Sequence, residues 1–201
     1  VVVMQEPLCQ VCGVPQQVSE VCQVCASHRP RFTALRAWAV FDDPVQEALH
    51  RLKYRRDIGL GDSLASQMID FVRGLGWQID MIVPIPLGIK RQKERGYNQV
   101  ALVARPLAIA LGLEYAPQVL TRRRETRSQV GLSKDARREN VHGVFEAGVH
   151  VNGKTVLVMD DVATTGSTLS AGAEALFSSG AKDVYALTVA RALPRHGLAK
   201  A

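Results

Sequence analysis

Val156-Leu157-Val158-Met159-Asp160-Asp161-Val162-Ala163-Thr164-Thr165-Gly166-Ser167-Thr168 is the stretch on which the reading of this chain turns. Its apolar start predicts a buried strand over residues 155–159. That strand delivers two neighbouring carboxylates to its carboxyl end, the edge at which open α/β sheets bind ligands. A helix is predicted immediately behind, over residues 167–178. Gly166 lets the backbone turn tightly, and free N–H groups and hydroxyls at a helix start can cradle a phosphate. Acids placed beside such a cradle can accept hydrogen bonds from sugar hydroxyls or hold a magnesium ion. The plain alternative is a chance acidic turn capped by threonines, but two adjacent aspartates at a buried strand end are costly to desolvate. Gly153-Lys154-Thr155 leads into an apolar strand rather than a helix, which is not the context of a P-loop, and no Gly-x-Gly-x-x-Gly dinucleotide fingerprint occurs.

Outward from this stretch the chain alternates strand and helix. Residues 184–190 predict a strand downstream. Upstream, residues 33–41 predict a strand or strap, with Leu35, Trp38, Val40 and Phe41 as its apolar members. Asp43 and Pro44 predict a helix start, an acidic cap with proline in the first turn. Val45, Leu49 and Leu52 follow at helical spacing. A second helix is predicted over residues 60–75 and a short strand over residues 81–83, stopped by Pro84-Ile85-Pro86. A helix over residues 98–111 ends at Gly112. Uniformly apolar strands alternating with helices predict an α/β fold with a parallel sheet covered on both faces.

The length of 201 residues suits one ordinary domain with a small appendage. Hydrophobic residues at 47% and charged residues at 22% exclude wholesale disorder. No apolar run approaches the ~18 residues of a membrane span. Val1-Val2-Val3-Met4 is too short for a signal peptide's apolar region and is followed by Gln5 and Glu6. The expected location is cytoplasmic.

All four cysteines fall in the first 25 residues, as Cys9-x-x-Cys12 and Cys22-x-x-Cys25 separated by nine residues. Each Cys-x-x-Cys can form a knuckle that aims two thiolates at one ion, and two knuckles make the closed tetrahedral set of a structural zinc site. Disulfides are the competing reading, favoured in an oxidising compartment. A zinc-ribbon-like module over residues 1–30 is therefore expected ahead of an α/β domain over residues 31–201.

The net charge is +6, and between Lys90 and Glu139 twelve Lys/Arg stand against five Asp/Glu. The remainder is near neutral, so the excess is one basic segment. It can attract phosphates of a metabolite or of nucleic acid, or be a solvated surface. Residues 121–140 lack periodicity and predict a long basic loop, carrying Arg122, Arg123, Arg124, Arg127, Arg137 and Arg138.

The hydrophobics, two acids, two hydrophobics and Thr/Gly-rich loop resemble the phosphoribosyl-pyrophosphate motif of type I phosphoribosyltransferases. The resemblance implies that Asp160 and Asp161 meet the ribose hydroxyls as the catalytic acids. Ala163, Thr164, Thr165, Gly166, Ser167 and Thr168 then bind the donor's 5-phosphate end. Some purine-salvage members carry Asp where this chain has Thr164, so no carboxylate base stands there. Leu52-Lys53-Tyr54, Val83-Pro84-Ile85-Pro86-Leu87 and Arg95-Gly96-Tyr97-Asn98-Gln99 further resemble the ComF (GntX-like) competence family. So do Arg122, Thr126 with Gln129, Arg137 with Asn140, Gly143-Val144-Phe145 and the paired Cys-x-x-Cys. This likeness runs from Cys9 to about Arg191.

It implies a zinc module on a type I phosphoribosyltransferase core, magnesium as cofactor, and a role in handling incoming single-stranded DNA. It also implies links to a DNA-translocating helicase and a recombination mediator. The Pro-Ile-Pro turn takes the place of the pyrophosphate loop, with Lys90, Arg91 and Arg95 as countercharge. In such enzymes a mobile flap corresponds to the basic loop. The five histidines are scattered without ligand-like pairing. Two functions stand open: transfer of a ribosyl 5-phosphate to an unnamed acceptor, or a non-catalytic adaptor for DNA or protein partners.

Overall fold

The computed structural model describes residues 1–123 and 143–193. Its centre is a five-stranded sheet built from β1 (Leu35–Val40), β2 (Met81–Pro84), β3 (Glu114–Tyr115), β6 (Thr155–Ala163) and β7 (Asp183–Arg191). The strand order is β1-β7-β6-β2-β3 and every pairing is parallel. Val156, Leu157, Val158 and Met159 are all fully buried, as expected of a strand covered on both faces. Burial of each such side chain contributes about 1.5–3 kcal/mol.

Alternation along β6 divides the core. Val156 and Val158 face one apolar cluster, Leu157 and Met159 the other. The second cluster is closed by α2 (Val45–Tyr54), which buries Val45, Leu49 and Leu52 as expected, and by α3 (Leu60–Gly74) and α5 (Gln99–Leu111). The first is closed by α6 (Ser167–Ser178) and by an antiparallel hairpin of β4 (Leu120–Arg122) and β5 (Phe145–Ala147). The cysteine segment, with α1 (Gln23–Ser27), packs on that same side: Cys9, Val11, Cys12 and Cys25 share the cluster with Phe32, Leu35 and Ala163. Val11 O accepts from Leu35 N at 2.7 Å, Trp38 O from Met4 N at 3.0 Å, and Val2 O from Val40 N at 2.9 Å. The edge of β1 is thereby covered by the chain's own amino-terminal residues.

Three expectations need correction. The strand expected to stop at Met159 continues to Ala163, because Asp160, Val162 and Ala163 keep pairing with β7. Helix α2 begins at Val45 behind Pro44 with no side-chain cap, so Asp43 is not its cap. The basic loop begins later than residue 121, since Thr121 and Arg122 are strand. Of the loop, residues 124–140 lie outside the described residues.

Helices α3 and α5 meet at Gly61, where a Cβ would come within 2.6 Å of the Leu102 carbonyl oxygen. Four residues on, Pro106 stands inside α5 and has no N–H to offer that carbonyl. Gly61→Ala should therefore force the helices apart and cost about 1–3 kcal/mol, as overpacking does. Urea unfolding followed by circular dichroism, with an unchanged m-value, is the check.

Candidate functional site

Strand β2 feeds α4 (Ile89–Arg95) and α5 toward one face of the sheet, whereas its neighbour β6 feeds α6 toward the other. The two loops part at the carboxyl ends of these strands and leave a crevice there. Residues 163–168 line its α6 side. Gly166 caps α6 with φ 78°, a left-handed conformation that favours glycine, and it lies against Leu35 and Phe32, which a Cβ would touch at 3.4–3.5 Å. Thr165 Oγ1 accepts from Ser167 N at 3.3 Å and lies 2.7 Å from Ser167 Oγ. Asp160 and residues 162–169 together enclose a small cavity at the start of this helix. The expected acid, phosphate loop and helix start are thus brought together.

Because both acids lie within a strand, they point to opposite faces. Asp160 is half-buried and faces the loop cavity. Burial and the adjacent Asp161 charge push its carboxyl up to about 7, against the pull of the Asp161 N–H, Lys53 and Arg122. Asp161 is 8% exposed and turns toward α2 and α5. Its Oδ2 accepts from Gln99 Nε2 at 2.7 Å and lies 2.9 Å from Lys53 Nζ.

The segment after β2 is built around this second acid. Ile85 N donates to Met159 O at 2.8 Å, continuing the sheet past Pro84. Asn98 caps α5, accepting from Val100 N at 3.0 Å, while its Nδ2 donates to Ile85 O at 2.9 Å. Tyr97 OH donates to Leu52 O at 2.6 Å and ties the end of α2 to the start of α5. Lys53, Tyr54, Arg56, Arg91, Glu94, Arg95 and Tyr97 line a second cavity, of about 260 Å³. From the hairpin, Arg122 Nε donates to Pro86 O at 3.3 Å and its guanidinium lies over Phe145.

The four cysteines converge. Their sulfurs all lie within 4.8 Å of one another, and none is in a disulfide. A tetrahedral zinc with Zn–S near 2.3 Å spaces its sulfurs roughly 3.8 Å apart; Cys12 and Cys22 are at 3.8 Å. Burial would push the Cys9 thiol up, but N–H donors from Cys22, Cys12 and Val11 outweigh it and draw it down to about 6. Burial pushes Cys12 and Cys25 up. The buried Arg191, at the end of β7, donates to Cys12 O at 2.6 Å, and Arg36 donates to Gln10 O at 3.2 Å. Two guanidiniums beside the cluster suit the net negative charge of a metal tetrathiolate. The cluster can hold a metal such as zinc.

Lys90, Arg91 and Arg95, expected at the anion end, do not line the loop cavity. Arg91 and Arg95 line the second cavity, and Lys90 lies 4.0 Å from Glu94 on the surface of α4. Lys53 and Gln99 reach the acids although neither stood among the expected site residues. The signal for both was present, since Leu52-Lys53-Tyr54 and the segment ending in Gln99 stood out as motifs. Arg124, Arg127, Arg137 and Arg138 lie outside the described residues.

Such a sheet, with a Thr/Gly loop and acids at its central switch point, defines a phosphoribosyltransferase-type fold. The sequence profile of the phosphoribosyl transferase domain matches residues 61–198. The DNA utilization protein YhgH of Salmonella typhimurium is 34% identical over 192 residues, spanning 92% of this chain and 85% of that protein. Competence protein F of Haemophilus influenzae is 29% identical over the same shares of the two chains. Competence protein ComFC of Bacillus subtilis is 28% identical, over 92% of this chain and 78% of that one. The chain belongs to the ComF family and carries a phosphoribosyl transferase domain. Among the described residues no helix is long and apolar enough to cross a membrane.

Two outcomes are expected. Elemental analysis of reduced protein should find one zinc per chain. Cys12→Ser should lose it and expose the apolar surface shared with β1, because metal binding and local folding are linked. Asp160 carries a raised folded-state pKa, from 3.8 to about 7, so its charge opposes folding above pH 7 and is relieved as pH falls toward 4. Asp160→Asn should therefore raise the melting temperature most at pH 8, with the gain vanishing near pH 4. Calorimetric melts across that range decide it.

Proposed function

We propose that this protein binds phosphoribosyl pyrophosphate with magnesium at the carboxyl end of β6, and that it serves, in the cytoplasm, the handling of incoming single-stranded DNA. The observation that carries the first part is the cavity joining Asp160 to residues 162–169 at the start of α6. Backbone N–H groups and hydroxyls there suit a phosphate monoester, and the half-buried carboxyl beside them suits vicinal ribose hydroxyls. The carboxylates of Asp160 and Asp161 are the hard oxygen donors that magnesium takes, directly or through its waters. Bound magnesium would neutralise the donor's pyrophosphate. On this reading residues 163–168 hold the 5-phosphate, Asp160 and Asp161 the ribose side, and Lys90 and Arg91 add positive charge toward the pyrophosphate.

The second part is supported by the relatives, whose names speak of DNA utilization and competence. A competence helicase and a recombination mediator are the partners of this reading. Residues 1–30 then act as a metal-held module on a core of residues 31–201. Transfer to an acceptor and sensing of the donor both begin with the same complex.

Titration calorimetry with phosphoribosyl pyrophosphate, with and without magnesium, is the test. Asp161→Ala should cost about 1.5–3 kcal/mol of binding, the worth of a hydrogen bond to a charged group. Absence of heat with or without magnesium at millimolar donor would sink the reading.

A further inference from the structure

Asp161 is held by one oxygen only. Lys53 Nζ and Gln99 Nε2 both meet Oδ2, at 2.9 and 2.7 Å, and among the described residues Oδ1 has no partner. Gln99 is 4% exposed, and the two ends of its amide have opposite neighbours. Its Oε1 accepts from Arg95 Nη1 at 2.6 Å while its Nε2 donates to Asp161. A guanidinium has no acceptor and an ionised carboxylate no donor. Between these two, the amide therefore has a single permitted orientation: turned over, it would set N–H against N–H and oxygen against oxygen. Arg95 is fixed in turn, since its guanidinium lies 5.1 Å from the centroid of the Tyr54 ring. Arg95 ends α4 and Gln99 begins α5, so the left-handed turn at Gly96 (φ 81°) and the Asn98 cap set the distance between them.

We propose that Arg95 and Gln99 are positioning residues for Asp161. Arg95 orients the buried amide of Gln99, and Gln99 with Lys53 saturates Oδ2, so that Oδ1 alone is presented at the crevice. Arg95 acts through Gln99 and does not touch the donor. This assignment rests on the donor reading for its consequence in binding, but the relay itself belongs to the ligand-free chain.

The test has two arms. In the first, donor binding with magnesium is measured for Arg95→Ala, Gln99→Ala and the double variant, with melting temperatures as the control for folding. Gln99→Ala should weaken binding roughly tenfold, and the double variant should bind no more weakly than Gln99→Ala alone. Arg95→Lys should recover part of the loss. Effects that multiply, as they would if Arg95 met the pyrophosphate directly, overturn the proposal. In the second arm, the Gln99 side-chain amide signal is found in a nitrogen–proton correlation spectrum of the ligand-free chain by its loss in Gln99→Ala, or in Gln99→Met should the alanine variant not fold. It should shift in both Asp161→Asn and Arg95→Ala. A signal unmoved by Arg95→Ala overturns the relay. A wild-type chain that binds no donor sinks the donor reading, and the spectrum still decides the relay.

Discussion

Two carboxylates one residue apart on a strand cannot face the same way, and the site depends on that constraint. Because β6 runs on to Ala163 beside β7, Asp160 and Asp161 are parted by the sheet plane. Each then meets a different environment. Asp160 lies by the hydroxyl-rich loop, where the Asp161 N–H, Lys53 and Arg122 only partly offset its burial and the neighbouring charge. Asp161 is enclosed by Lys53 and Gln99, which keep an ionised carboxylate in the core tolerable. One acid is held by two side chains while the other has the Asp161 N–H at 2.9 Å, an arrangement in which stability is given up at one position and secured at the next.

The cysteine segment follows a similar logic of compensation. Its knuckle N–H groups already point at sulfur, with Cys22 N and Cys12 N at 3.3 and 3.5 Å from Cys9 Sγ. Arg191 answers it from the sheet, and Arg191 is the ladder partner of Ala163, the residue that opens the Thr/Gly loop. The metal cluster and the loop therefore share one strand end. Phe32 and Leu35, behind the cysteines, are also the side chains that Gly166 lies against.

What was legible in the sequence were the features that depend on near neighbours. Helical stripes in α2, α3 and α5, the buried run of β6 and the cysteine spacing all announce themselves locally. What was not legible depended on distant partners. The end of β6 was misplaced because Asp160 and Asp161 read as terminators, whereas pairing with β7 carries the ladder through them. Helix α4 went unread because Ile89–Arg95 has no buried residue and hence no apolar period. Strands β4 and β5 are three residues each and pair across more than twenty positions. Lys53 and Gln99 belong to different helices and meet only at Asp161, so no spacing in the chain could reveal the pair.

The close meeting of α3 and α5 has a bearing on that acid. An ordinary contact between two apolar helix faces tolerates some sliding along the axes. A glycine seated over one particular carbonyl does not, least of all a carbonyl whose usual donor is replaced by a proline ring. Gly61 over Leu102, with Pro106 beyond, makes the contact behave like a notch rather than a bearing. It fixes the height of α5 against its neighbour. The first turn of α5 carries Gln99, three residues before Leu102, so this notch sets how far the amide reaches toward the sheet.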